Sequence, residues 1–428
     1  MSSEFIWEKS TLRNAGITLI DCDHRTPQQA TEGYPYIAIP QLKDGHIRLD
    51  GVRLISKSDY LDWTKKLKPQ ADDVIVVRRC NSGDSAVVPA GLECAIGQNL
   101  VILRSDGQRI YPKFLRWLLR GPDWWEQVEK FINVGAVFDS LKCREIPEFE
   151  LTIPPLEVQK EIATVLGSID ARIELLRETN ATLEAMAQAL FKSWFVDFNP
   201  VHANALASDC NAEIQTVGAL LAAPNSTKTN QGAASSAPTV NALFPATFTA
   251  SPQGLVPEGW SPRSLDEIAE YLNGLALQKF PPTGENDLPV IKIAQLRKGD
   301  TVGADLAGRN LKPEYIIQDG DVLFSWSGSL EVEIWCGGEG ALNQHLFKVT
   351  SKEYPKWFYY LWTRYHLANF KLIAASKATT MGHIQRKHLT EAMTVVPSTE
   401  VLNAANEVFN PLIEQLINNA LVCWIYKS

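Results

Sequence analysis

The clearest periodic signal in the chain is a seam formed by Ile162, Leu166, Ile169, Ile173, Leu176, Asn180, Leu183, Ala187, Leu190 and Trp194, stepping by four and three in strict alternation. That alternation keeps one stripe of a helix turned toward a partner helix, so the segment predicts a coiled coil. Ile153-Pro154-Pro155 marks its start, because proline suits the first helical position and Glu157 and Glu161 suit the positive end of the helix dipole. Asn180 is the one polar residue in the seam: either a tolerated imperfection, or half of a polar pair that fixes register. A second stripe, Leu402, Ala405, Phe409, Ile413, Leu416, Ala420 and Cys423, follows the potential cap Pro397-Ser398-Thr399. A lone apolar stripe needs cover, and each helix is the available cover for the other. At 1.5 Å per residue, residues 157–194 would span about 57 Å and residues 401–428 about 42 Å.

Ahead of each helix the texture is different, with short strands broken by Gly, Pro and Asp and then an aromatic helix, at residues 113–119 and again at 357–364. The two stretches are related. Tyr36-Ile37-Ala38-Ile39-Pro40-Gln41-Leu42 matches Val290-Ile291-Lys292-Ile293-Ala294-Gln295-Leu296 at an offset of 254. Asp72-Asp73-Val74-Ile75 matches Gly320-Asp321-Val322-Leu323 at 248, and Tyr111-Pro112-Lys113-Phe114 matches Tyr354-Pro355-Lys356-Trp357 at 243. Matches that keep their order while the offset drifts indicate a duplicated unit. The chain is therefore expected to be α+β, with two duplicated α/β domains separated by a long antiparallel helical coiled coil. The boundaries read as a first domain at 1–152, a helix at 153–198, a linker at 199–258 with an Ala/Asn/Ser/Thr-rich insertion, a second domain at 259–396 and a shorter helix at 397–428.

Composition narrows the class. With 428 residues and 45% hydrophobic content, the chain can build two or three cores. Its apolar runs fall far short of the roughly 18 residues needed to cross a bilayer, and the first residues lack a basic region followed by an apolar core. A cytoplasmic protein with no membrane partner is the expectation. Seven cysteines occur without a Cys-x-x-Cys spacing, which predicts neither a disulfide framework nor a structural metal. A net charge of −8 weighs against a simple nucleic-acid binder. However, residues 1–150 carry 20 basic against 21 acidic side chains and 259–400 carry 15 against 16, so local basic loops remain available.

Two further stretches carry a resemblance. Ile153-Pro154-Pro155-Leu156-Glu157-Val158-Gln159-Lys160-Glu161-Ile162, running on to Phe191-Lys192-Ser193-Trp194-Phe195-Val196-Asp197-Phe198-Asn199-Pro200, resembles the central region of Type I restriction-modification specificity subunits. Ala242-Leu243-Phe244-Pro245 and Val256-Pro257-Glu258-Gly259-Trp260 resemble the lead-in to their second recognition domain. The resemblance implies two target-recognition domains, each reading one half of a split asymmetric double-stranded DNA target. It implies helices that act as ruler and docking site for two methyltransferase subunits, with motor-nuclease subunits completing the complex. S-adenosylmethionine, ATP and Mg would then belong to the partners, and this chain would carry no cofactor and no catalytic residue. The C-terminal sequence from Asn418 departs from the longer tail usual in the family, and residues 224–238 read as an insertion.

Catalytic readings find little support in the residues. Asn199-Pro200-Val201 and Asn410-Pro411-Leu412 lack the second proline and the aromatic of an amino-methyltransferase site. Pro122-Asp123 with Glu126, Glu129 and Lys130 could suggest a metal-dependent nuclease, but the spacing and the adjacent Trp124 and Trp125 favour an amphipathic helix. Gly337-Gly338-Glu339-Gly340 lacks the lysine of a phosphate loop and reads as a turn. For DNA contact, base edges call for Arg, Lys, Asn or Gln, with hydroxyls and cations on phosphates. The candidates are Gln41, Lys43, Arg78, Arg79, Asn81 and Ser82 in the first copy. In the second they are Gln295, Arg297, Ser325, Ser327, Lys377, Thr379, Thr380, His383, Gln385 and Arg386. His345 and His383 could touch DNA, though each reads more readily as structural or solvent-facing. Two other classes remain open: an assembly scaffold that does not read DNA, and a nuclease.

Overall fold

The computed structural model describes residues 7–66, 68–134, 139–208, 240–252, 254–376 and 382–426. The chain divides into two compact units, Met1–Ala171 and Arg172–Ser428. Among the described residues, no helix is long and apolar enough to cross a membrane.

In the first unit, β1 (Glu8–Thr11) is followed by β2 (Ile17–Asp21), β3 (Tyr34–Ile37), β4 (Arg53–Ile55), β5 (Val74–Val77), β6 (Ser85–Val87), β7 (Ala95–Ile96) and β8 (Leu100–Ser105). Helices α1 (Pro112–Leu118) and α2 (Pro122–Phe131) then lead to β9 (Glu150–Ile153) and the long helix α3 (Leu156–Phe191). An antiparallel sheet runs in the order β2-β8-β5-β6, with Leu100 opposite Val77 and Leu103 opposite Val74. Its centre is buried on both faces because alternate side chains feed two cores. Val74, Val76, Val101 and Leu103 pack with Phe114, Leu115 and Trp124, while Ile75, Val77, Leu100 and Ile102 pack with Ile37 and Ile96. Each of these aliphatic side chains contributes about 1.5–3 kcal/mol on burial. A smaller sheet, β4-β3-β7, joins β3 to β7 in parallel, and β1 closes the unit against β9. Helix α3 is held to this unit at Asp170, whose Oδ2 meets His46 Nε2 at 2.9 Å and Arg116 Nη2 at 2.8 Å. Burial alone would raise the Asp170 carboxyl, yet the hydrogen bond from His46 and the charge of Arg116 hold it below its ordinary value.

The second unit repeats the plan. Strands β10 (Ser261–Ser264), β11 (Glu270–Asn273), β12 (Leu288–Ile291), β13 (Leu306–Ala307), β14 (Ile316–Ile317), β15 (Val322–Ser325), β16 (Val332–Ile334), β17 (Gly340–Leu342) and β18 (Leu346–Thr350) precede α4 (Lys356–Ser376). After it come β19 (Met393–Val396) and α5 (Thr399–Ile425). The sheet order β11-β18-β15-β16 reproduces that of the first unit, β12 pairs with β17 in parallel as β3 does with β7, and β10 closes on β19. Aromatic helices were expected at 113–119 and 357–364; the second extends through Ser376, because its buried face continues through Leu367, Phe370 and Ala374.

Helices α3 and α5 pack antiparallel within the second unit. Ile173 O accepts from Cys423 Sγ at 3.7 Å at one end, and Phe191 lies 6.4 Å from Phe409, ring to ring, further along. Asn180 is part of a polar pair: its Nδ2 donates to Leu416 O at 2.9 Å, and its Oδ1 accepts from Asn419 Nδ2 at 2.8 Å. Two seam residues are corrected. Ile162 packs on the first unit's core and Leu166 stays 36% exposed, so the helix pair is built from Ile173 onward. At the other end a π-helical turn, Lys192–Val196, replaces regular helix. Phe191 and Phe195, outside the expected seam, are buried with Trp194 partly buried beside them, and Phe409 stacks on Trp357 at 4.6 Å. The aromatic run that starts at Phe191 is thus the core of the second unit as much as a coiled-coil seam.

Candidate nucleic-acid interface

Strand β5 runs straight into Arg78 and Arg79, where the main chain turns sharply. Cys80 and Asn81 take left-handed backbone, with φ of 58° and 69°, so the amides of Asn81 and Ser82 point at the Asp139 carboxylate at 3.3 and 2.8 Å. Hydrogen bonds from Ser82 hold that carboxyl below its usual range. Gly83 follows at φ 102°, where an added Cβ would stand 2.8 Å from the Trp125 ring, and its carbonyl accepts from Trp124 Nε1 at 2.9 Å. The loop is therefore clamped from below. Arg79 and Asn81 are exposed and Arg78 half-buried, its Nη2 lying 3.4 Å from both His24 Nδ1 and Gln98 O.

Several predicted contact residues face inward. Ser82 is 5% exposed against the Asp139 clamp. Gln41 and Gln295 are both buried and each folds back on its own turn, Gln41 Oε1 accepting from Ala38 N at 3.2 Å and Gln295 Oε1 from Lys292 N at 3.3 Å. Ser325 is fully buried and closes the turn after β15, bonding Ser329 O and accepting from Glu331 N at 2.9 Å. Arg386 is exposed, but it donates to Tyr271 O at 3.0 Å and lies over the Phe347 ring, so it also braces the sheet. For Gln41, Gln295 and Ser325 a polar side chain beside a tight turn satisfies that turn before it can reach outward. Lys43, Arg297, His383 and Gln385 are exposed, whereas Ser327 is buried with Oγ 3.0 Å from His345 Nδ1. Lys377, Thr379 and Thr380 lie outside the described residues.

Residues that the sequence reading passed over gather beside these. Trp326, directly after β15, donates from Nε1 to Asn273 Oδ1 at 2.9 Å and sits with its ring 5.9 Å from His345 and 6.4 Å from His383. In the first unit Gln98 and Asn99 occupy the corresponding turn. The match of Gly97-Gln98-Asn99-Leu100 with Asn343-Gln344-His345-Leu346, at an offset of 246, is the signal that could have found them.

Metal and catalytic chemistry find no built site among the described residues. Asp21, Cys22 and His24 bring three ligand atoms within 4.8 Å of one another. Burial, reinforced by Asp21, pushes the Cys22 thiol up to about 12, and the Arg78 guanidinium beside His24 already supplies positive charge. In α2, Trp124 is buried and Asp123 accepts from Thr152 N at 2.9 Å, while Glu126, Glu129 and Lys130 are exposed. Among the described residues these carboxylates form no cluster of metal-ligand atoms. Gly337 to Glu339 lie in the turn between β16 and β17, and Gly340 opens β17.

Comparison with known proteins agrees with the duplicated architecture. The family model for the Type I restriction modification DNA specificity domain matches residues 22–185 and again 257–417. The chain belongs to this family. The Type I specificity family also supplies its relatives. The MjaIX specificity subunit of Methanocaldococcus jannaschii is 23% identical over 350 residues, covering 78% of this chain and 71% of the relative. The HindI specificity subunit of Haemophilus influenzae is 22% identical over 350 residues, covering 76% of each. The crystal structure of the S subunit of the Type I restriction-modification system from M. genitalium covers 100% of this chain and 94% of its own at a TM-score of 0.50 and 14% identity, a likeness of fold. The specificity-family layout of two recognition domains and long helices is thus the layout found here.

Proposed function

We propose that the chain is the sequence reader of a Type I complex, each repeat reading one half of a split asymmetric DNA target. The observation that carries this is the duplication itself: two family matches fold into two units with the same sheet order and the same parallel strand pair, yet present different side chains after β5 and after β15. One fold used twice with unlike tips suits a target whose halves differ. The helix pair would set the distance between halves and dock two methyltransferase subunits, with motor-nuclease subunits joining the assembly. The chain itself performs no chemistry; S-adenosylmethionine, ATP and Mg belong to those partners. With near-neutral repeats, the partners also supply part of the phosphate contact.

The test is a footprint on duplex DNA by the full chain assembled with its methyltransferase subunit. A protected pattern that depends on sequence in two separated blocks supports the reader. Protection that ignores sequence supports the scaffold reading, and cleavage by the chain alone with a divalent metal supports the nuclease reading.

A further inference from the structure

The two repeats pin the same four backbone segments around one spot while varying the side chains there. In the first, the Arg78 amide donates to Asn99 O at 2.9 Å, Arg78 O accepts from Leu141 N at 2.8 Å, and Arg79 bridges Ser140. In the second, the Trp326 amide donates to His345 O at 3.3 Å, Trp326 O accepts from Ile384 N at 3.0 Å, and Ser327 bridges His383. Sheet register supplies the fourth segment, with Asp21 opposite Val101 and Asn273 opposite Phe347. The same bonds therefore equate Arg78 with Trp326, Arg79 with Ser327, Asn99 with His345 and Asp21 with Asn273. Gln98 and Gln344 are equated too, and here the residue is unchanged.

A cavity lies beside each spot, between the same two turns. In the first repeat it has a volume of about 520 Å³ and is walled by residues 38–41 and 97–100. In the second it has a volume of about 300 Å³, walled by residues 292–294 and 343–345. Polar capacity is left over there. Arg78 Nε is buried without a partner, and the exposed Gln98 carboxamide makes no hydrogen bond to the described residues. In the second repeat, among the described residues, the Gln344 amide meets only the neighbouring His345 Nε2, at 3.3 Å.

The contrast with Gln41 and Gln295 is instructive. Those side chains are the same in both repeats, buried, and committed to their own turns, as scaffold should be. Around the paired spot the main-chain bonds are common and the partly exposed tips differ everywhere but at Gln98 and Gln344, as two readers of unlike sequences with one base in common require. Guanidinium groups match the acceptor edge of guanine, and a carboxamide matches the donor and acceptor pair of adenine.

We propose that this paired constellation is the base-reading site of each repeat. Arg78, Gln98 and Asn99 read the first half of the target, with Arg78 on a guanine. Trp326, Gln344 and His345 read the second, and the shared glutamine reads an adenine in each half. The proposal rests on the chain being a two-half DNA reader.

Selection from a pool of duplexes with a randomised core, using the full chain with its methyltransferase subunit, tests both levels separately. Gln98→Ala is expected to lower the preference at one adenine of one half by roughly 5- to 150-fold and leave the other half unchanged. Gln344→Ala is expected to do the mirror image. Because Gln98 is exposed and unbonded, loss of folding does not confound it, and thermal unfolding of each variant confirms that. Variants that keep both base preferences while losing affinity uniformly, or that both alter the same half, overturn the site. A wild-type complex that selects no two-part motif overturns the reader assignment instead.

Discussion

Replacing Asn180 by leucine exposes what the polar pair in the helix seam contributes. Asn419, 5% exposed, donates to Asn180 Oδ1 at 2.8 Å and accepts from Gln415 Nε2 at 2.7 Å. Leucine at 180 leaves the Asn419 amide donor buried without its partner, a cost of about 1–3 kcal/mol. Leu416 O also loses the Asn180 amide but keeps its place in the main-chain ladder of α5. The half-buried leucine returns less than about 1 kcal/mol of apolar transfer, so the net loss is about 1–2 kcal/mol. That corresponds to roughly 2–4 °C in Tm per kcal/mol for a unit of this size. Asn180→Leu with Asn419→Leu removes both partners together and is expected to lie near wild type or above it, giving a coupling of at least about 1–2 kcal/mol in a double-mutant cycle. Urea unfolding of the full chain, followed by near-ultraviolet circular dichroism, reads all four corners. Additive effects, or a single Asn180→Leu as stable as wild type, would refute the reasoning.

Four further outcomes follow from the same structure. Arg78→Ala with Arg79→Ala should weaken duplex binding and flatten its salt dependence by about 1–2 in log–log slope while leaving thermal unfolding nearly unchanged; unchanged affinity at fixed salt contradicts it. Trp357→Ala, removing a fully buried ring stacked on Phe409, should cost about 3–5 kcal/mol in denaturant unfolding; a loss below about 1 kcal/mol would show that the aromatic cluster is dispensable. Asp170→Ala removes the carboxylate shared by His46 and Arg116, whose side chain is 15% exposed, and should cost about 2–3 kcal/mol, with Arg116→Met in the same background recovering much of it. His366 is held below its ordinary 6.5 by burial, against the hydrogen bond of its Nε2 to Met393 O. Because the unfolded chain takes up that proton first, its contribution is present above about pH 6.5 and is lost as pH falls toward the folded pKa. His366→Gln should flatten the Tm difference between about pH 7.5 and 5.5, and an undiminished difference would assign it to other groups.

What was legible in the chain was whatever repeats. The duplicated strands could be aligned by eye because both copies need the same buried run after the same acidic turn, at Asp73-Val74 and Asp321-Val322. The helix seam was legible because a buried stripe must recur every three or four residues. Other features depended on register or on what lies across a turn. The Asn180–Asn419 pair needs the alignment of two helices 239 residues apart in sequence. Phe191 and Phe195 fall outside a strict heptad, because the π-helical turn and the aromatic face of α4 decide what they pack against. Gln41, Gln295 and Ser325 read as free polar groups, yet each serves its own turn, and Ser82 is buried where its main-chain amide meets Asp139. Gln98 and Asn99 were passed over because a short polar turn between strands looks the same whether or not it faces a ligand.

The most direct test of the central claim is to co-express the full chain with its methyltransferase partner and map methylated adenines across a genome. A two-part motif with unlike halves and a fixed spacer is the predicted result. A continuous palindrome, or no methylation that depends on this chain, would contradict it.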